Sequence, residues 1–192
     1  MKAYDDATGQ GAYNTLFNTE KYGSQKVNEL KERSKTAKNT AAKAIFNSLK
    51  YKIDPSDYDA WHKKICGMVV SAFKKVYVNQ LEPFFTFGNA QKWVNMTMKY
   101  LWLLGILPNN VSEDDLHIPI DRYIIYALNK GTFFIPEAAW STWNENDYYD
   151  AFRKNDFSKY NATLEWENTA WIEQAEQEKM SKKSEKCTDF FE

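Results

Sequence analysis

The stretch Phe87–Arg122, reading FGNAQKWVNMTMKYLWLLGILPNNVSEDDLHIPIDR, leaves room for little besides a helix, a loop and the start of a second helix. Gly88 and Asn89 break the chain just ahead of an apolar-periodic run made of Ala90, Trp93, Val94, Thr97, Tyr100, Leu101 and Leu104. Gly105, Pro108 and the two asparagines after it end that run, so a helix is predicted from about Asn89 to Leu104. Pro119 fixes an extended approach to Asp121, which stands at the N-cap position ahead of the apolar-rich segment Tyr123–Leu128. Lys92 in the first helix and Asp121 at the mouth of the second can then face one cleft.

The rest of the chain reads as helices too. Val27, Leu30, Ala37, Ala41, Ala44, Ile45 and Leu49 recur among lysines over about 24–50, predicting one long or broken amphipathic helix. Asp54-Pro55-Ser56-Asp57 is a turn with capping residues that opens a helix over roughly Tyr58–Val78. Pro83 separates this part from the Lys92 segment. The helix after Asp121 runs to about Asn129 and stops at Gly131. One or two short aromatic helices follow within residues 133–154, and Leu164–Lys179 closes the fold with a helix dense in glutamate. The expectation is an all-α chain: an irregular segment 1–22, one compact domain over 23–180 with lobes at about 23–82 and 83–180, and a tail, 181–192, that frays.

The Lys92 and Asp121 segments together resemble the helix-hairpin-helix DNA glycosylases, especially the 8-oxoguanine glycosylases and their shorter archaeal relatives. In that family a catalytic lysine follows a glycine turn at the start of a helix, as Lys92 does in GNAQK. An essential aspartate closes a proline–apolar–aspartate opening of a later helix, as Asp121 does in HIPID. The resemblance covers roughly residues 84–130. The double-glycine hairpin of the family is reduced here to Gly88, and the two key positions lie 29 apart, longer than in many members and compatible with the archaeal type. It implies two small helical lobes around a cleft and excision of a damaged or modified base, of the 8-oxoguanine kind, through a lysine Schiff base.

Such a pair has definite chemical duties. A neutral lysine amine can attack the sugar carbon that bears a base, expel the base and leave a Schiff base, so Lys92 must first lose its proton. Lys99, two turns on and close to the same face, is a like-charge neighbour and a candidate DNA contact. Asp121 would stabilise positive charge on the sugar and help move protons, and a helix N-terminus is a favourable seat for its negative charge. The backbone amides of Gly88, Asn89 and Ala90 are candidates for gripping a phosphate. A base that leaves the stack needs aromatic walls, for which Phe84, Phe85, Phe87, Trp93 and Trp102 are placed nearby in sequence. Trp140, Trp143, Tyr148 and Phe152 are further candidates if a carboxy-terminal helix folds back. His117, beside Asp121, could reach the same pocket. The plain alternative is that Lys92 is a solvated helix residue, Asp121 a cap, and the rings core.

Composition bounds the remaining choices. With 192 residues, 16 % aromatic, and only seven glycines and five prolines, the chain can bury a core. No apolar run reaches the length of about 18 residues that a membrane span needs, and the polar start is not that of a signal peptide, so a cytoplasmic protein is expected. Two cysteines, Cys66 in a helix and Cys187 near the end, suit a reduced compartment and cannot supply a four-cysteine iron–sulfur cluster. His117 has no second histidine or cysteine close in sequence and His62 is remote from it, so no metal and no cofactor are expected. A Walker loop, a dinucleotide fingerprint and a GxSxG elbow are also lacking.

The net charge of −1 conceals a basic half. Residues 21–100 carry a surplus of nine positive charges and residues 101–192 a deficit of eight. Lys35, Lys38, Lys43, Lys63, Lys64, Lys74 and Lys75 are the candidates for a phosphate-binding face, and DNA is the expected partner. A second function class stays open: a non-enzymatic protein of phage or mobile-element type, in a conflict between phage and host rather than in repair, holding a nucleic acid, a nucleotide or a host protein on the same scaffold.

Overall fold

In the computed structural model, residues 3–5, 7, 23–74, 85–108, 110–129, 136, 138–154 and 163–188 are described, with side chains to Ala151 in the fifth helix and to Ser181 in the sixth. Among the described residues, residues 3–5 and 7 are helical and six further α-helices carry the fold: α1 (Ser24–Ser48), α2 (Tyr58–Lys74), α3 (Phe87–Leu103), α4 (Arg122–Asn129), α5 (Glu145–Lys154) and α6 (Leu164–Thr188). Short 3-10 turns stand at Pro55–Asp57, Glu113–Asp115 and Trp140–Thr142, and among the described residues there is no strand. The all-α reading therefore holds.

Each helix follows from its own pattern. The buried face of α1 is Val27, Leu30, Ser34, Ala37, Ala41 and Ile45, a stripe at three- and four-residue spacing that lies on α2. Asp54 accepts a hydrogen bond from the Ser56 N–H at 3.0 Å, and Pro55 follows it, so the expected capping turn is present; the 3-10 turn then runs directly into α2. Among the described residues α2 ends at Lys74; Val78 and Pro83 lie outside them, as does Gly131 beyond the end of α4.

α3 is the central helix. It lies against α2 and α5, and ten of its residues are buried. It begins two residues before the predicted start, because the cap is Thr86: its hydroxyl accepts from the Asn89 N–H at 3.2 Å, and the Asn89 side chain reaches back to the Thr86 N–H. Gly88 is thus a helical residue rather than a break. Its missing Cβ is explained by Trp140, whose carbonyl oxygen would lie 1.9 Å from an added Cβ. At the other end Gly105, with φ +67°, donates to the Trp102 carbonyl, and the Ile106 N–H closes on Leu101, the full glycine stop that the sequence suggested.

The largest core cluster draws on Ala3, Tyr4 and Ala7, on α1 to α6, and on the turn between α4 and α5. Phe73 and Phe85 stack with centroids 4.0 Å apart, and Tyr4 meets Trp93 edge-on at 4.7 Å. The last helix, α6, runs to Thr188, past the expected Lys179. No helix among the described residues is long and apolar enough to cross a membrane.

Candidate functional site

Lys92 and Asp121 do meet. Lys92 lies in the second turn of α3, and its Nζ stands 2.9 Å from Asp121 Oδ2, with only 11 % and 8 % of the two side chains exposed. Asp121 Oδ1 accepts from the backbone N–H groups of Tyr123 at 2.9 Å and Ile124 at 3.1 Å, so the residue also caps α4. Two indoles flank the pair. The Trp140 ring centroid lies 5.0 Å from Lys92 Nζ, within cation–π range. From α6, Trp171 Nε1 donates to Asp121 Oδ2 at 3.1 Å while 40 % of the residue stays exposed.

Around this centre lie more charges. Lys99 is buried and paired with Glu167 of α6 by a short hydrogen bond. Burial pushes the Glu167 carboxyl above the usual range; Lys99 opposes that, and Asp121 adds to it as a like charge. Both carboxylates sit at the N-terminal ends of their helices, where the aligned backbone dipoles favour negative charge. On α4, Arg122 pairs with Glu178 at 2.8 Å, and the Tyr123 hydroxyl bonds to the same carboxylate. Glu167, Trp171, Gln174 and Glu178 recur at helical spacing, so one face of α6 reaches the site.

The sequence did not point to Trp171, which is 50 positions from Asp121. An alternation of Glu167, Trp171 and Glu178 on a glutamate-rich helix reads as solvated surface, and only the fold brings it to Asp121.

Several expected contacts take other places. Lys99 faces Glu167 rather than solvent and is not available to DNA, because two unpaired buried charges would cost far more than one pair. The amides of Gly88, Asn89 and Ala90 are spent on the carbonyl of Trp143, the hydroxyl of Thr86 and the carbonyl of Thr86, and all three residues are buried. They cannot grip a phosphate. Phe85, Phe87, Trp93, Trp143 and Tyr148 are buried core rings, and Trp102 packs half-buried against that core. Among the described residues, Trp140 is the ring named from the sequence that stands beside Lys92. Phe84 and Lys75 lie outside the described residues, and so does the side chain of Phe152. Lys38 is engaged by Asp5 and the Tyr4 ring, and Lys63 by Glu145; Lys35, Lys43, Lys64 and Lys74 are exposed.

His117 and His62 require a second correction. His62 is not remote: the two rings lie 4.6 Å apart. Their nitrogens are engaged within the protein. His62 bonds Tyr149 Oη at 2.8 Å and Asn95 Oδ1 at 2.9 Å, while His117 bonds Tyr148 Oη at 3.0 Å and Asp59 at 2.8 Å. Burial, with His117 beside it, holds His62 well below the ordinary histidine range. Cys66 approaches His62 at 3.5 Å, but burial pushes the thiol well up, so the two are a neutral core contact and not a thiolate–imidazolium pair. Among the described residues no group of three or more His, Cys, Asp or Glu side chains could hold a metal ion.

No family model, curated protein or solved structure gives a significant match to this chain.

Proposed function

We propose that the chain is a base-excision protein of the helix-hairpin-helix glycosylase kind, with lobes around a cleft, in which Lys92 is the nucleophile and Asp121 its electrostatic and proton-handling partner. The observation that carries this reading is the 2.9 Å contact between the two side chains, nearly dry and flanked by indoles. With substrate bound, the Lys92 ammonium passes a proton to Asp121 Oδ2, and the neutral amine attacks the sugar carbon. The bond from that carbon to the base breaks, and the base departs with the bonding electrons and takes up a proton. The departing base takes its proton from Asp121, the attached nitrogen gives one of its two protons to the ring oxygen as the sugar ring opens, and the protonated Schiff base so formed keeps the other, its positive charge facing the anionic Asp121.

Borohydride trapping tests the reading. Duplex and single-stranded oligonucleotides bearing 8-oxoguanine, uracil, alkylated bases or abasic sites should give an adduct lost in Lys92→Ala. A Lys92→Ala protein that excises the base at the normal rate would sink the role of Lys92.

A specific observation favours a second reading, that of a non-enzymatic binding protein. The amides that would anchor DNA are occupied and most of the rings are core. Binding would then use the basic half, where α1 and α2 form an open groove of about 690 Å³ lined by Arg33, Thr36, Thr40, Lys64 and Gly67 among others. Salt-sensitive affinity without any adduct would select this reading.

A further inference from the structure

Gln91 and Asn95 are buried completely in α3, although both are polar. They are one helical turn apart, and Lys92 stands between them. Gln91 Nε2 donates to the Ile120 carbonyl at 3.0 Å, and Asn95 Nδ2 donates to the Ile118 carbonyl at 3.2 Å. The two amides are joined to one another, Asn95 Nδ2 to Gln91 Oε1 at 3.1 Å.

The spacing explains why this works. Positions i and i+4 of a helix are about 6 Å apart along the axis, and alternate residues of an extended chain about 6.6 Å. A helix bearing two side-chain amides can therefore do for an extended segment what a neighbouring strand does. It donates to every second carbonyl. Pro119, which has no N–H of its own, lies between the two carbonyls, so the segment could not have paired as an ordinary strand at that residue.

We infer that Gln91 and Asn95 are positioning residues: their two-rung amide ladder sets the register of residues 118–121 on α3 and thereby brings Asp121 onto Lys92. A slip of one residue would turn both carbonyls away from the donors and move the Asp121 carboxylate off the amine. The ladder is itself braced. His62 Nε2 donates to Asn95 Oδ1 at 2.9 Å, the Tyr148 hydroxyl lies 3.0 Å from Asn95 Nδ2, and Tyr148 is bonded in turn to His117. The register argument is structural; only its consequence for excision rests on the function proposed above.

The test compares wild type with Gln91→Met, which keeps volume and removes the donor, and Gln91→Glu, whose carboxyl can donate to the Ile120 carbonyl only when protonated. Full-length protein is acetylated with acetic anhydride, and labelling of Lys92 is read by mass spectrometry against exposed Lys35. In Gln91→Met with an unchanged circular-dichroism spectrum, the Lys92 to Lys35 ratio should rise about tenfold, equivalent to losing one buried hydrogen bond of about 1.4 kcal/mol. In Gln91→Glu the ratio should be high at neutral pH and fall towards the wild-type value as pH is lowered. A wild-type ratio in Gln91→Met, or a ratio in Gln91→Glu that does not change with pH, overturns the ladder. Borohydride trapping on an abasic-site oligonucleotide supplies the other arm: Gln91→Met should slow adduct formation and leave oligonucleotide affinity unchanged. If wild type itself gives no adduct, the excision reading fails while the labelling ratios still decide the ladder.

Discussion

Lys92 meets a single oxygen of Asp121, Oδ2 at 2.9 Å, while Oδ1 is held by the first N–H groups of α4. The two jobs of the carboxylate are therefore separable by substitution. Asp121→Asn keeps an acceptor for the cap but turns an NH₂ group towards Lys92 and Trp171, both of them donors. Helix content should be unchanged, stability should fall by about 3 kcal/mol for the stranded lysine, and Schiff-base trapping should disappear. Asp121→Ala should cost about 1 kcal/mol more through the lost cap. Urea unfolding of the three proteins, beside the trapping assay, checks the order; equal stability of Asp121→Asn and wild type would mean that the ion pair contributes nothing.

Gly88 and Gly67 make opposite predictions from the same substitution. A Cβ at Gly88 would stand 1.9 Å from the Trp140 backbone oxygen, so Gly88→Ala must push the 140–142 turn away. It should destabilise by about 1–3 kcal/mol, as overpacking does, and move the Trp140 ring off Lys92. At Gly67, inside α2, an added Cβ meets nothing within 4 Å. Gly67→Ala should therefore stabilise by about 1 kcal/mol through helix propensity. Thermal unfolding of both variants decides the matter.

What could be read from the sequence was local. The cap at Asp121, the turn at Asp54-Pro55, the glycine stop at Gly105 and the stripe on α1 each depend on residues within a turn or two of one another. Gly88 was misread as a helix breaker because the atom that demands a glycine belongs to Trp140, far along the chain. Lys99 was read as a like-charge neighbour of Lys92 and a DNA contact because its partner Glu167 is 68 positions away. One clue was present: Gln91 and Asn95 are polar residues at helical spacing on a helix whose neighbours Ala90, Trp93, Val94 and Met98 are all apolar. Polar residues inside an apolar surround have to be satisfied by something.

Lys99 and Glu167 tie α3 to α6 in a place with little access to water. Removing one member strands the other, so Lys99→Met or Glu167→Leu alone should each cost about 3–5 kcal/mol. The double variant replaces both charges by apolar groups and should recover most of that loss. A double-mutant cycle by urea unfolding gives the coupling directly. Strict additivity of the two single losses would mean that the side chains do not sense one another.

His62 should make the protein acid-sensitive. Burial, helped by the neighbouring His117 and opposed by the hydrogen bond that His62 donates to Asn95 Oδ1, holds its folded-state value well below the ordinary 6.5. For a base lowered in this way, the unfolded chain takes up the proton more readily than the folded one, so stability falls as pH falls. The contribution of His62 is complete above about pH 6.5 and is lost below it, with a limiting slope of about 1.4 kcal/mol per pH unit. The Tyr149 and Asn95 contacts leave no carboxylate to offset an imidazolium in that position. His62→Gln keeps a donor and an acceptor but does not titrate, so the stability margin of wild type over this variant should be constant above pH 7 and shrink steadily towards pH 5. Urea midpoints for both proteins across that range measure the margin. A margin independent of pH would show that the folded protein takes up a proton at His62 as readily as the unfolded chain, with Tyr149 then accepting from the second nitrogen and donating to the Asp59 carbonyl at 3.2 Å.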